Sequence, residues 1–114
     1  MIPNRYECMF PLLQYLSDGK IRSLKECTEY ISSYFNLLEK EKSQLQPNGR
    51  KTIVYDETGW AKCNLEETGF LETVTRGKYK ITDEGILFLE KNSSFELIEL
   101  SKKIKREKLA NRNL

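Results

Sequence analysis

Apolar side chains recur at three- and four-residue intervals over most of this chain, and the period falls to two only in the stretch around Val74 and Tyr79. Tyr6, Met9, Phe10, Leu13 and Leu16 mark one face of a first helix, which stops near the turn signal Ser17-Asp18-Gly19. Pro11 requires either that this helix begins near it or that it lies on the solvent side of a bent helix, where the missing hydrogen bond costs least. Ile21-Arg22 suits a very short strand. Ser23 and Glu26 stand at capping-box spacing ahead of Leu24, Cys27, Tyr30, Ile31 and Tyr34, the buried stripe of a second helix. Leu37 to Leu45 reads as a short polar helical turn, and Pro47-Asn48-Gly49 as a strong turn. Behind it Ile53, Trp60, Ala61 and Leu65 share one face of a third helix ending at Gly69. Gly59 interrupts that helix at a cost of about 1 kcal/mol relative to alanine, unless the backbone there must approach something closely.

Leu71 to Val74 and Tyr79 to Ile81 are two alternating runs joined by Thr75-Arg76-Gly77-Lys78, the pattern of a hairpin that must lean on the helices. Thr82 caps a helix carrying Ile86 and Leu89, and Ser93 with Glu96 opens a last helix containing Phe95, Ile98 and Leu109. The predicted order is helix, short strand, helix, helical turn, helix, two-stranded hairpin, helical tail. This is a mainly α fold with a small β hairpin, a winged helix (winged helix-turn-helix) with an added C-terminal helix. The expected division is a winged-helix domain over 1–92 and a helical extension with a basic tail over 93–114.

Composition narrows the chemistry. The chain of 114 residues contains no histidine, which removes the usual near-neutral general base and the commonest borderline metal ligand. Cys8, Cys27 and Cys63 are too far apart for a zinc knuckle or a redox pair and read as small buried hydrophobes. The acidic pairs Asp56-Glu57, Glu66-Glu67 and Asp83-Glu84 diverge by about 100 degrees on a helix, so none forms a metal clamp alone. The expectation is a non-enzyme without metal, cofactor or small-molecule substrate. No apolar run is long enough to span a membrane and the N-terminus does not resemble a secretory signal, so a cytoplasmic site is expected. Net charge is +2, but six cations against Glu107 put the last fourteen residues at +5 and leave the first hundred at −3.

Residues 5 to 90 resemble the amino-terminal domain of Mrr-type restriction proteins. The resemblance is carried by Met9-Phe10-Pro11-Leu12-Leu13, Asp18-Gly19, Leu45-Gln46-Pro47-Asn48-Gly49-Arg50 and Gly59-Trp60-Ala61-Lys62. It continues in Leu65-Glu66-Glu67-Thr68-Gly69-Phe70-Leu71 and in Arg76 through Gly85. It implies a winged helix that contacts DNA, in a family whose separate C-terminal endonuclease domain targets modified DNA. That nuclease has no counterpart in this sequence, and Asp56-Glu57 stands where the family usually has a polar, often basic pair.

Double-stranded DNA is therefore the expected partner, through three groups of residues. On the wing, Arg76, Lys78 and Lys80 gather around a tight turn, where they serve either backbone phosphates or protection of a sheet edge. On the third helix, Thr58, Lys62 and Asn64 are the side chains that can reach base edges, although Lys51 and Lys62 against four carboxylates give the stretch from Lys51 to Thr68 a charge of −2. In the tail, Lys102, Lys105, Arg106 and Lys108 either reach phosphates, begin a linker, or solubilise a helix whose other side forms a homodimer contact. Trp60 is expected to be a structural anchor between the third helix and the hairpin. The competing function is a protein-interaction module, dimeric through the C-terminal helix, that has kept the wing and lost DNA reading.

Overall fold

A computed structural model describes residues 1–112, so the end of the expected 93–114 extension lies outside the described residues. Helix α1 spans Arg5–Tyr15 and starts at a full capping box, the Asn4 side chain accepting from the Glu7 N–H at 2.9 Å and the Glu7 carboxylate accepting from the Asn4 N–H at 3.0 Å. The helix thus begins well before Pro11, and Pro11 is buried rather than turned to solvent, against both expectations for it. The backbone bond that its ring removes would end on the carbonyl of Glu7, an exposed residue near the start of the helix. A 3₁₀ turn over Leu16–Asp18 and the left-handed Gly19 close the helix, as the turn signal predicts. Cys8, Met9, Leu12, Leu13 and Leu16 are all fully buried, which makes α1 the central helix.

β1 (Arg22–Ser23) leads through the Ser23–Glu26 capping box into α2 (Leu24–Tyr34). The polar turn appears as α3 (Glu39–Lys42), and α4 (Ile53–Glu67) is the predicted third helix. β2 (Leu71–Thr75) and β3 (Lys78–Ile81) form the hairpin, with β3 in the middle of a three-stranded antiparallel sheet in the order β1-β3-β2. α5 (Asp83–Lys91) and α6 (Ser94–Arg112) follow. This is the winged-helix order, mostly helical with a small sheet and a C-terminal helix.

Two helix faces differ from the predicted ones. In α4 the core side is Val54, Thr58, Ala61, Asn64 and Leu65, so Trp60 stands about 100 degrees round from Ala61 and is 47% exposed. Trp60 is therefore half exposed and shares a surface concavity with Tyr79 of β3, outside the buried core expected for an anchor between the third helix and the hairpin. Tyr79, Leu71, Ile81 and Phe70 are the buried apolar side chains of the hairpin and the turn before it. In α6, Leu97 and Ser101 are buried, helped by contacts with α1 and α4, whereas the predicted Phe95 is 71% exposed. Ile86 also lies largely outside the core.

Gly59 and Gly85 are both helical, and their surroundings separate their roles. A Cβ at Gly59 would meet only Leu24 Cδ2, at an ordinary 3.5 Å, so no close backbone approach requires the glycine. Gly59→Ala should then recover most of the helix-propensity difference and stabilise the fold by about 0.5–1 kcal/mol in urea denaturation. A loss of stability would show that the surroundings of Gly59 are tighter than this geometry.

Candidate nucleic-acid interface

The loop between α3 and α4 presents two cations. Its turn is closed by the Gly49 N–H donating to the Gln46 carbonyl at 2.8 Å, and Gly49 takes the positive φ of +71° that the turn needs. Leu45 pairs with Thr52 across it, and the Gln46 amide donates to the Asp56 carboxylate at 3.0 Å, tying the loop to α4. Arg50 and Lys51 consequently project beside the start of α4. There they line, with Lys25 of α2, a cleft of about 690 Å³. Lys42 lines it too but is held by Glu39 at 2.8 Å, and Glu29 is the one carboxylate among the lining residues.

A smaller concavity of about 230 Å³ adjoins the cleft and shares Lys51 and Tyr55 with it. It follows the outer side of α4 past Gly59, Trp60 and Cys63 to Tyr79 on β3. The wing begins there, because β1 pairs Arg22 with Tyr79 and Ser23 with Lys78, bringing the start of α2 against β3. Lys78 and Lys80 are exposed and alternate with the buried Tyr79 and Ile81, and Arg76 sits with Gly77 at the hairpin tip. Lys25, Arg50, Lys51, Arg76, Lys78 and Lys80 are all exposed, and none of the ion pairs among the described residues includes them.

The carboxylates of α4 are engaged elsewhere. Glu57 binds Arg5 of α1 at 3.0 Å, Glu66 binds Lys62 at 2.8 Å, and Glu67 binds both Lys105 and Lys108 of α6 at 3.2 and 3.0 Å. Burial alone would raise the Glu67 carboxyl, but the hydrogen bonds from Lys108 and Lys105 prevail and hold it below the usual glutamate range. The charge of −2 counted along this helix is thus spread over several faces and mostly paired.

Residues 6–91 match the family model of the Mrr N-terminal domain. The chain belongs to that family. Comparison with curated proteins and with solved structures returns no match. Membership makes this a restriction-system-related domain, and no second domain is matched.

Within this Mrr N-terminal domain, the expected third-helix readers need correction. Thr58 is fully buried and its hydroxyl donates to the Val54 carbonyl at 2.8 Å. Asn64 is 2% exposed and its amide donates to the Met9 sulfur at 3.7 Å. Both lie on the core stripe that the one-residue rotation of α4 creates, so neither reaches a base edge. Lys62 is outside the core but already holds Glu66, with its ammonium 4.6 Å from the Tyr79 ring centroid. Of the tail residues, Lys105 and Lys108 are spent on Glu67, Lys102 lies over the Tyr6 ring at 5.1 Å, and Arg106 is exposed. The wing residues are placed outward, and the structure adds Lys25, Arg50 and Lys51 to them. The available signal for the last two was their position directly after the Pro47-Asn48-Gly49 turn.

Burial pushes the Cys8 thiol up to about 12 and the Cys27 thiol up to about 11, which keeps both protonated, as packing residues would be. Cys63, by contrast, is exposed on α4, contrary to its expected burial. No described helix is long and apolar enough to cross a membrane.

Proposed function

We propose that this domain is a non-catalytic module that docks on duplex DNA, gripping backbone phosphates through Lys25, Arg50, Lys51, Arg76, Lys78 and Lys80. The observation that carries the reading is the distribution of these six exposed, unpaired cations along the start of α2, the α3–α4 loop and the wing, while three of the four α4 carboxylates, Glu57, Glu66 and Glu67, are tied to Arg5, Lys62, Lys105 and Lys108. Counterion release from phosphates supplies most sequence-independent affinity, and it needs cations not already neutralised by neighbours. The tail contributes less than its +5 suggests, because Glu67 holds two of its lysines.

Fluorescence anisotropy with unrelated labelled duplexes, repeated across a salt series, tests this. The expected result is similar affinity for each duplex and a log–log salt slope of roughly −4 to −5, as four to six phosphate contacts require. Absence of binding at about 50 mM salt, where this electrostatic attraction is strong, would overturn the reading. It would favour the interaction-module alternative, in which exposed Phe95 and Leu109 of α6 provide apolar surface for a second copy.

A further inference from the structure

The centre of the proposed interface combines aromatic surface with polar groups that are mostly already engaged. Thr58 and Asn64 face the core, Lys62 is paired and Asp56 accepts from Gln46, so the outer side of α4 offers a paired base edge few hydrogen-bonding groups. It presents Tyr55, Gly59 and Trp60, which with Leu24 and Tyr79 form the apolar part of the concavity of about 230 Å³, while Lys51, Asp56, Lys62 and Cys63 complete its lining. Trp60 is half exposed, with the Arg5 guanidinium 5.0 Å from its ring centroid.

Gly59 supports the same conclusion. Its backbone φ is not positive and a Cβ would find ordinary space, so neither conformation nor packing demands glycine in mid-helix. What a side chain there would change is the concavity itself.

We infer that this concavity takes a single unstacked base, so that the domain prefers duplex DNA carrying a bulged nucleotide to fully paired duplex. The inference rests on the DNA-docking reading, since Lys51, which lines the concavity, and Lys25, which lines the adjoining cleft, would hold the flanking phosphates. A flat aromatic surface accepts any base by stacking, and an already unpaired base costs least to bring out of the helix. A protein side chain would find the same mixed aromatic and polar walls, but the exposed cations of the adjoining cleft, Lys25, Arg50 and Lys51, outnumber its one carboxylate, Glu29, and favour a polyanion.

Trp60 is the only tryptophan, so its emission reports on the site directly. The full chain is titrated with duplexes of about two helical turns, one fully paired and one with a single bulged thymine. The bulged duplex should bind roughly tenfold more tightly and quench Trp60 more strongly at saturation. Trp60→Ala should remove the preference, bringing the affinity for the bulged duplex down to that for the paired one, whereas Trp60→Phe should keep part of it. Gly59→Leu, which fills the concavity from a helix-compatible position, should also remove the preference, with Trp60 still present. Equal affinity for the two duplexes, or a preference that survives both Trp60→Ala and Gly59→Leu, would overturn the inference while leaving DNA docking intact. Failure of the parent to bind either duplex would overturn both.

Discussion

Gly85→Ala should destabilise the domain by about 2 kcal/mol, although it replaces a helical glycine by the best helix former. A Cβ at this position would stand 2.5 Å from the Phe70 carbonyl oxygen and 2.7 Å from Ile81 Cγ1. The first neighbour is backbone and cannot rotate away. That carbonyl accepts from the Thr82 N–H at 2.9 Å, while the Thr82 hydroxyl donates to the Gly69 carbonyl at 2.6 Å and accepts from the Gly85 N–H at 3.1 Å. Thr82 therefore joins the end of α4, the end of β3 and the start of α5 in one small network. Room for a methyl group can come only from moving α5 away from Phe70 or displacing Ile81 from the core. The propensity gain of about 1 kcal/mol is smaller than the overpacking cost, so destabilisation prevails. For a domain of this size the midpoint of thermal unfolding should fall by on the order of 10 °C. The same substitution at Gly59 should have the opposite sign, and the pair controls for the loss of glycine flexibility in the unfolded chain. Equal or higher stability for Gly85→Ala would mean that α5 does not pack against Phe70 and Ile81 as closely as this geometry requires.

Features that depend on neighbours in sequence were legible from sequence. Ser23 with Glu26 closes a full capping box, the Glu96 carboxylate accepts from the Ser93 N–H and hydroxyl ahead of α6, Thr82 caps α5, and Gly77 with a φ of +78° makes the hairpin turn. Each is decided within a few residues. The rotation of α4 is different, because Ile53 and Val54 are adjacent apolar residues and two registers of the helix satisfy the pattern almost equally. Tertiary packing chooses between them: Met9 of α1 meets Asn64, and this turns Thr58 inward and Trp60 outward. In α6 the sequence favoured Phe95 and Ile98, but the core accepts Leu97 and the small Ser101, a residue that carries no apolar signal.

The candidate interface was harder to see for a related reason. Its cations come from Lys25, from Arg50 and Lys51, and from Arg76 to Lys80, and they adjoin only because β1 pairs with β3 and the α3–α4 loop folds back on α4. Charge summed along a segment cannot report this. Glu57 is neutralised from a residue 52 positions away and Glu67 from one 38 positions away. An acidic-looking helix can therefore have most of its charge paired, and a basic-looking tail can have part of its charge held by another helix.

That regrouping of charge leads to the larger expected effect on function. Replacing Arg50, Lys51, Arg76 and Lys78 together by alanine should lower affinity for any duplex by roughly three orders of magnitude at about 0.1 M salt, and should make the log–log salt slope shallower by 3 to 4 units. Both numbers follow from one assumption, that each of the four residues neutralises one phosphate and each contact contributes about 0.9 to the slope. All four are exposed and outside the ion pairs of the described residues, so each substitution should change stability by no more than about 0.5 kcal/mol, and unfolding curves can verify this. Lys105→Ala with Lys108→Ala provides the contrast. It removes two cations of the most basic segment, but Glu67 already holds both, and their loss exposes that carboxylate without vacating a phosphate contact. The double variant should therefore leave the slope within about half a unit of the parent, with only the weak long-range effect of the altered charge, which fades as salt rises. If it instead matched the quadruple variant in slope and affinity, the tail would be the binding surface. If the quadruple variant bound like the parent, the grouping of α2, the α3–α4 loop and the wing into one phosphate-binding face would be wrong, whatever other surface held the DNA.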